Sequence, residues 1–339
     1  MSVVKDVARK AGVSPSTVSL VLNNKPGISS STRQRVFQAM AELGYQDYTP
    51  NRGTKNMQRS IQFILYKKHG HVVADTPFFS SVLEGVEAQV KKHGFSLLIT
   101  YINAAHGVRE PLQQIMDSAC SGIILLATEM THNDLLPFTR TGIPLVVLDS
   151  YFEEITVDSV VINNRQGSFL ATRNLYENGH TEIGYLKSKV AINNFYERKD
   201  GYKKALKSCK LPYNTEYIFE LGASVETAYT DMKELLSVKR KLPTAFFADN
   251  DVIAVGAMRA LREAGVRVPQ DVSVVGFDDI PMCEMLDVPL TTIRVPKRHI
   301  GMLAVDRLVE IICNDTDVRV KIEVRTEIVE RSSVLNRNV

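Results

Sequence analysis

The chain has 339 residues, of which 44% are hydrophobic and 23% charged, with a net charge of +3. No run approaches the roughly 20 consecutive apolar residues of a membrane-spanning helix, and no apolar signal core begins the sequence, so we expect a cytoplasmic protein without a membrane partner. Because the length exceeds the roughly 150 residues of a typical domain, we expect two or three units.

The positive charge is concentrated at the start of the chain. Residues 1–60 contain nine lysines and arginines against three acids, a net charge of +6 that leaves −3 for the remainder. A basic module attached to a mildly acidic one indicates that the first module alone meets a polyanion.

The first predicted element is a short helix that ends at Gly12. Apolar residues at three- and four-residue spacing predict it: Val4, Val7, Ala8 and Ala11. Gly12 can adopt the left-handed conformation that ends a helix.

Ser14 and Pro15 predict the start of a second helix, with Ser14 as N-cap and Pro15 at the first helical position. This helix should run to about Leu22, with Val18 and Val21 facing the core together with Leu22. Four residues are expected on its outer face: Ser16, Thr17, Ser19 and Leu20.

A third helix is predicted after Ser29 or Ser30 as N-cap, with Gly44 as its terminator. Its periodic apolar set is Val36, Phe37, Met40 and Leu43. Two helices joined by a tight turn, with a third in support, are typical of a helix-turn-helix module, whose second helix enters the DNA major groove. We therefore expect double-stranded DNA as a partner.

Two segments carry a specific resemblance. The stretch "KDVARKAGVSPSTVSLVLN" followed by "ISSSTRQRVFQAMAELGY" resembles the DNA-binding headpiece of the LacI family of bacterial repressors. The later segments "ERKDGYKKAL" and "DNDVIAVGAMRALREAGVRVPQDVSVVGFDDI" are similar to the family's core. Together with the predicted helix-turn-helix module, the resemblance implies that these residues contact DNA: Ser14, Pro15, Ser16, Thr17, Ser19, Leu20, Asn23, Ser29, Thr32, Lys55 and Met57.

The chain departs from the family pattern at Leu20 and in the linker. Leu20 stands where many members have a polar or basic base-reading residue; leucine cannot make the bidentate contact to guanine but can pack on a thymine methyl group. In the linker, the usual Pro-Asn pair is delayed by three residues to Pro50 and Asn51. Aligned on this pair, Met57 takes the position of the intercalating leucine, and we hypothesise that it wedges into the minor groove. Gly53 weakens the hinge helix by roughly 1 kcal/mol relative to alanine, so we expect that helix to form only on DNA.

The rest of the chain alternates short apolar runs with amphipathic segments such as residues 79–93. The apolar runs are residues 61–66, 97–101, 122–127, 145–148, 183–186, 244–248 and 272–277. This alternation predicts βαβ units with buried parallel strands and a ligand cleft at the carboxyl ends of the strands. The predicted fold is therefore an all-α helix-turn-helix headpiece followed by an α/β core of two doubly wound parallel-sheet subdomains. The resemblance implies that this core is like a periplasmic binding protein, with three crossovers.

The predicted boundaries divide the chain into four parts. The headpiece spans residues 1–48 and the hinge 49–60. The first core subdomain spans 61–156 and 291–320, and the second spans 157–290 and 321–339.

Polar residues at predicted strand ends are candidates for the effector site, because carboxylates accept hydrogen bonds from ligand hydroxyls and arginine donates several in a fixed fork. The family resemblance implies an effector-binding arginine, polar contacts around it and an aromatic pair. The candidates are Phe78, Phe79, Asp149, Asn194, Arg198, Asn250 and Asp278. Ala223 lies near a position where relatives often have an aromatic residue.

Other function classes have weaker support. An enzyme would need a nucleophile elbow, a phosphate-binding glycine loop or metal-spaced histidines, and the four cysteines lie far apart. We therefore expect no catalytic residue, metal or cofactor. A solute receptor with the same core fold would require export, whereas this chain begins with a basic module.

Together these features predict a repressor of carbohydrate-utilisation genes that binds a palindromic operator. We expect a homodimer and leave a tetramer open. A sugar is the expected effector, and a nucleobase or a sugar phosphate remains an alternative.

Overall fold

The computed structural model describes residues 3–22, 28–45, 59–73, 77–238, 241–314 and 316–338. The chain divides into two compact units, residues 1–57 and 58–339. Asn23, Gly53, Lys55 and Met57 lie outside the described residues, as does most of the predicted hinge. Within the described ranges, no helix has the length and apolar character needed to cross a membrane.

The described residues of the first unit form three helices: α1 (Val3–Ala11), α2 (Pro15–Leu22) and α3 (Ser30–Glu42). The predicted helices are therefore confirmed, and Gly12 and Gly44 have the positive φ of +66° and +74° expected after α1 and α3. Their buried side chains form one small core: Val7, Ala8, Ala11, Val18, Val21, Val36, Ala39 and Met40.

Two residues of the periodic set in α3 do not join this core. Phe37 is 53% exposed because it lies about 100° around the helix from the buried Val36. Leu43 is exposed because it is the C-cap residue, beyond the last turn that packs on the core.

The second unit has two subdomains built from alternating strands and helices. The first part contains β1 (Ser60–Lys67), α4 (Pro77–Lys92), β2 (Ser96–Asn103), α5 (Arg109–Asp117), β3 (Gly122–Leu126), α6 (His132–Thr139), β4 (Leu145–Leu148) and β5 (Asp158–Ile162). Next come α7 (Asn164–Glu177), β6 (Ile183–Ser188), α8 (Asn193–Ser208), β7 (Ile218–Leu221), α9 (Val225–Ser237), β8 (Ala245–Ala248), α10 (Asp251–Glu263), β9 (Ser273–Val275), α11 (Met282–Met285) and β10 (Thr292–Arg294). The chain ends with α12 (Lys297–Asn314), β11 (Lys321–Val324) and β12 (Glu327–Val329).

The strands form two parallel sheets. The first sheet has the order β11-β5-β4-β3-β1-β2, and the second has the order β7-β6-β8-β9. Strands β10 and β12 pair antiparallel as a separate ribbon. The predicted pair of doubly wound parallel sheets is therefore confirmed.

The sheet pairing corrects the predicted subdomain boundaries in three places. Residues 291–294 belong to the second subdomain rather than to the first, because Thr291 and Arg294 bridge to Val275 and Asp278. Strand β5 pairs with β4, and β11 pairs with β5, so both strands belong to the first sheet rather than to the second subdomain. Backbone hydrogen bonds between neighbouring strands place β5 and β11 in the first sheet. A buried ion pair supports the assignment of β5, because Arg307 Nε of α12 lies 2.8 Å from Asp158 Oδ1 of β5. The first subdomain therefore comprises residues 60–162 and 297–324, and the second comprises 164–294 and 327–338.

Helices α4 and α12 pack closely beside the first sheet, and two glycines allow the approach. A Cβ atom on Gly85 would lie 1.9 Å from the carbonyl oxygen of Arg298, and one on Gly301 would lie 2.3 Å from that of Val82. These close approaches hold α4 and α12 against each other. Phe78 and Lys297, in the first turns of these helices, lie next to the cleft between the subdomains.

Candidate functional site

In the first unit, α2 presents a polar outer face at its N-terminal half. Ser14 caps the helix, since its Oγ accepts a hydrogen bond from the backbone N–H of Thr17 at 3.0 Å. Ser16, Ser19 and Leu20 are exposed, while Thr17 is half-buried. The helix therefore offers hydroxyl groups and one exposed leucine to a partner, as the sequence predicted.

The start of α3 carries a second group of hydroxyls. Ser29 is the N-cap residue, and its Oγ accepts from the backbone N–H of Thr32 at 3.3 Å and contacts Thr32 Oγ1 at 2.9 Å. Hydroxyls and backbone N–H groups at a helix N-terminus are ready partners for phosphate oxygens. Both helix starts can therefore contact a nucleic-acid backbone.

In the second unit, a cavity of about 30 Å³ lies between the two subdomains, here named the inner cavity. Its lining includes all seven predicted effector residues: Phe78, Phe79, Asp149, Asn194, Arg198, Asn250 and Asp278. Four further residues, which were not predicted, complete the lining of the inner cavity: Val72, Thr128, Ile192 and Phe195. Their apolar or singly hydroxylated side chains gave no signal of their own.

Arg198 is buried and held on several sides. Its Nε donates to Asn164 Oδ1 at 2.9 Å, and its Nη1 donates to the carbonyl oxygen of Asp249 at 2.6 Å. Its Nη2 donates to Asp278 Oδ1 at 3.2 Å, and the guanidinium carbon lies 3.7 Å from the Phe277 ring centroid. The guanidinium is therefore pre-oriented before any ligand contact.

Asp149 joins the two subdomains from the end of β4. Its Oδ2 accepts from Thr128 Oγ1 at 2.6 Å, and its Oδ1 accepts from Asn194 Nδ2 at 3.1 Å. Burial raises the pKa of Asp149 to about 6, although the Thr128 hydroxyl and the charge of Arg198 oppose the rise. Its φ of +66° is rare for a residue with a Cβ atom and is typical of strained positions at binding sites.

Asp278 and Asp279 form a second strained turn, with φ of +115° and +55°. Lys297 at the start of α12 holds this turn, because its Nζ donates to the carbonyl oxygens of both residues at 2.5 and 2.9 Å. Burial raises the pKa of Asp278, while Arg198 and Lys297 oppose the rise. Lys297 thus links the first subdomain to the acidic turn of the second.

Asn250 caps α10, with its Oδ1 accepting from the backbone N–H of Ile253 at 3.0 Å. It lies between two buried acids, Asp249 and Asp251. Tyr185 donates to Asp249, and Thr292 Oγ1 donates to Asp251 at 2.5 Å. Burial raises the pKa of both carboxyl groups to about 7.

Glu129 lies shortly after β3, and its side chain holds the loop of residues 68–73 in place. Its side chain is fully buried, and its two oxygens accept five backbone N–H groups at 2.8–3.1 Å: those of Lys68, His69, Gly70, Val72 and Val73. Burial alone would raise the pKa of Glu129, but these N–H groups lower it below its ordinary value. This carboxylate could not be predicted, because a single acid after an apolar run has no distinguishing pattern.

A second cavity of about 830 Å³, here named the outer cavity, adjoins the same loop. The first subdomain contributes these residues to its lining: Lys68, His69, His71, Glu129, Met130, Thr131, His132, Tyr151, Phe152, Glu153 and Glu154. The second subdomain contributes Arg165, Lys189, Val190, Ala191, Ile192, Asn193, Tyr196, Glu197 and Asp200.

Ala223 lies outside the lining of both cavities. It is buried in a small apolar cluster with Val72, Ile192 and Phe195. The alanine at this position therefore packs behind the wall of the inner cavity.

Comparison with known proteins gives matches along nearly the whole chain. The family model described as "Bacterial regulatory proteins, lacI family" matches residues 3–51, and that of a "Periplasmic binding protein-like domain" matches residues 172–334. The HTH-type transcriptional repressor PurR of Aliivibrio fischeri (strain MJ11) is 33% identical over 341 residues, covering 99% of each chain.

Two solved structures are similar over almost the full length. The transcriptional regulator CelR in complex with cellobiose has a TM-score of 0.74 at 28% identity, covering 98% of this chain and 100% of that one. The lac repressor dimer bound to operator and the anti-inducer ONPF has a TM-score of 0.73 at 26% identity, covering 98% and 99%.

Proposed function

The chain belongs to the LacI family of bacterial regulatory proteins, and from this membership we propose that it is a sequence-specific transcriptional repressor controlled by a small effector. One observation carries the proposal: a helix-turn-helix unit with an exposed hydroxyl face shares a chain with a cleft where seven predicted effector residues line one cavity. Such a protein acts in the cytoplasm, where its DNA is, and needs no catalysis.

In this proposal, α2 enters the major groove of one operator half-site. Ser16, Thr17, Ser19 and Leu20 face the base edges, with Leu20 packing on a thymine methyl group. Ser14, Pro15, Ser29 and Thr32 meet the phosphate backbone at the helix starts. Asn23, Lys55 and Met57 complete the contact set, with Met57 as the minor-groove wedge.

A sugar is the effector whose chemistry best matches the side chains that line the inner cavity. Arg198 donates hydrogen bonds, Asp149 and Asp278 accept them, and the two phenylalanines offer ring faces, a combination that suits a polyol with an apolar ring face. The CelR complex with cellobiose supports this choice of ligand class. We therefore propose that carbohydrate-utilisation genes are the targets.

We further propose that the protein acts as a homodimer on a palindromic operator, because the similar lac repressor is bound to its operator as a dimer. Two exposed apolar surfaces of the second unit are available for a second copy. Strand β2 lies at the edge of the first sheet and exposes Leu98, Ile99 and Tyr101, and α11 ends in Met285, which is 81% exposed. Exposed apolar side chains of this kind mark association surfaces.

Selection of genomic fragments by the purified protein tests the proposal. The protein is incubated with fragments of its source genome at near-physiological salt, without ligand and with pooled sugars, and the retained DNA is sequenced. We expect an enriched palindrome beside carbohydrate genes in one of the two conditions. Retention of DNA without any enriched sequence in either condition would contradict a sequence-specific regulator.

A further inference from the structure

The inner and outer cavities are neighbouring compartments of one cleft. Ile192 lines both, and adjacent residues of the same segments face one cavity or the other. Thr128 faces the inner cavity and Glu129 the outer, while Asn194 faces the inner and Asn193 the outer. The loop of residues 68–73 lies along this boundary and is fixed there by Glu129.

The two compartments differ greatly in size. The inner cavity, at about 30 Å³, has room for about one water molecule, whereas the outer, at about 830 Å³, lies within the roughly 300–1,000 Å³ of ligand pockets. The inner cavity is therefore too small for a sugar ring in this structure. A ligand confined to the inner cavity would leave most of the cleft volume unused.

The charges of the outer cavity favour a neutral ligand. Its lysines and arginine are each paired with a carboxylate at 2.7–2.9 Å: Lys68 with Asp134, Arg165 with Glu197, and Lys189 with Asp231. A phosphate group would have to compete with these carboxylates for each cation. The electrostatics therefore disfavour a sugar phosphate.

Planar side chains line the outer cavity from both subdomains. Tyr196 on α8 is 58% exposed, and His69 and His71 stack with ring centroids 5.2 Å apart. Flat rings with neighbouring polar groups such as Thr131 suit the apolar face and hydroxyls of a sugar ring.

We propose that the outer cavity is a second sugar subsite, so that the effector is a neutral disaccharide or longer saccharide with one unit in each cavity. This inference rests on the proposed function, because it assumes a sugar effector. It assigns Tyr196 and the His69–His71 pair to the second unit and Arg198, Asp149 and Asp278 to the first.

Calorimetric titration of the full-length protein with matched sugars tests the inference. The probes are cellobiose and maltose against glucose, lactose against galactose, and glucose 6-phosphate as the anionic probe. We expect at least one disaccharide to bind about tenfold more tightly than its monosaccharide, and glucose 6-phosphate to bind no more tightly than glucose. Tyr196→Ala should weaken disaccharide binding about tenfold more than monosaccharide binding.

Tyr176→Ala is the matched control, because Tyr176 is an exposed tyrosine on α7 outside both cavities. It should leave every affinity unchanged. Equal affinity for the members of each pair, equal effects of Tyr196→Ala on both, or no binding of any disaccharide at millimolar concentration would overturn the second subsite. Operator selection is independent of these titrations, so a failed subsite leaves the DNA-binding proposal standing.

Discussion

Asn194 of the second subdomain donates a hydrogen bond to Asp149 of the first, with Nδ2 3.1 Å from Oδ1. Asn193 reinforces this bridge, because its Nδ2 donates to Ser150 Oγ at 3.2 Å and to the carbonyl oxygen of Tyr151 at 3.1 Å. Two consecutive asparagines at the start of α8 therefore hold the cleft closed. An effector hydroxyl that contacts both side chains would be held by both subdomains, which links ligand binding to closure of the cleft.

We expect Asn194→Ala to shift the unliganded protein toward an open cleft and to weaken effector binding. A buried hydrogen bond contributes about 1 kcal/mol, so affinity should fall roughly fivefold to tenfold while the protein stays folded. Small-angle X-ray scattering reports opening as a larger radius of gyration. Asn103→Ala, at the exposed end of β2 in the first subdomain, serves as control. An unchanged radius and affinity in Asn194→Ala would contradict a closing role.

Three buried aspartates should make a contribution to the free energy of unfolding that decreases as the pH rises from about 4 to 8. His180 acts in the opposite direction at the acidic end of this range, because burial lowers its pKa to about 4. Burial raises the pKa of Asp149 to about 6 and of Asp249 and Asp251 to about 7, above the roughly 3.9 of an unfolded aspartate. Between these values the folded state binds more protons than the unfolded state, so stability present at low pH is lost as the pH rises through the folded pKa.

Urea denaturation at several pH values measures this dependence. Asp249→Asn removes one titrating group and should flatten the decrease, whereas Asp117→Asn, at an exposed position, should leave the profile unchanged. A profile for Asp249→Asn that runs parallel to that of the unsubstituted protein would show that Asp249 is ionised in both states.

Much of the fold could be predicted because its signals are local. Gly12, Ser14 and Pro15 mark the turn between α1 and α2, and apolar runs mark the buried strands. The subdomain boundaries were less accessible, because β11 joins the first sheet by pairing with β5, about 160 positions earlier in the chain. Apolar content alone does not specify which sheet a strand enters.

The residues of the candidate site also include some that could be predicted from the sequence and some that could not. The family resemblance identified Arg198 and Asp278, which the structure brings to one cavity. Glu129 and Lys297 were missed because their partners are backbone groups, which leave no mark on side-chain patterns. Asp249 was not predicted because its burial depends on the packing of several elements.

Glu129→Gln should destabilise the protein and disorder the wall between the two cavities. A glutamine keeps one acceptor oxygen but turns an NH₂ group toward backbone N–H donors, leaving at least two buried donors unsatisfied at about 1–3 kcal/mol each. Thermal and urea unfolding measure the loss. Glu87→Gln, on the exposed face of α4, is the matched control, and equal stability of the two variants would contradict the role of Glu129 in holding the loop.

The exposed face of α2 can be altered without changing the apolar core of the first unit. Leu20 is 41% exposed, so Leu20→Ala should keep the fold but lower affinity for the selected operator by about tenfold, within the roughly 1–3 kcal/mol of a base contact. The loss should vanish on an operator in which the contacted thymine is replaced by uracil, which lacks the methyl group. Gln38→Ala, exposed on α3, should bind as the unsubstituted protein does. Fluorescence anisotropy with both operators measures all three proteins, and a Leu20→Ala loss that persists on the uracil operator would mean that Leu20 does not contact the methyl group.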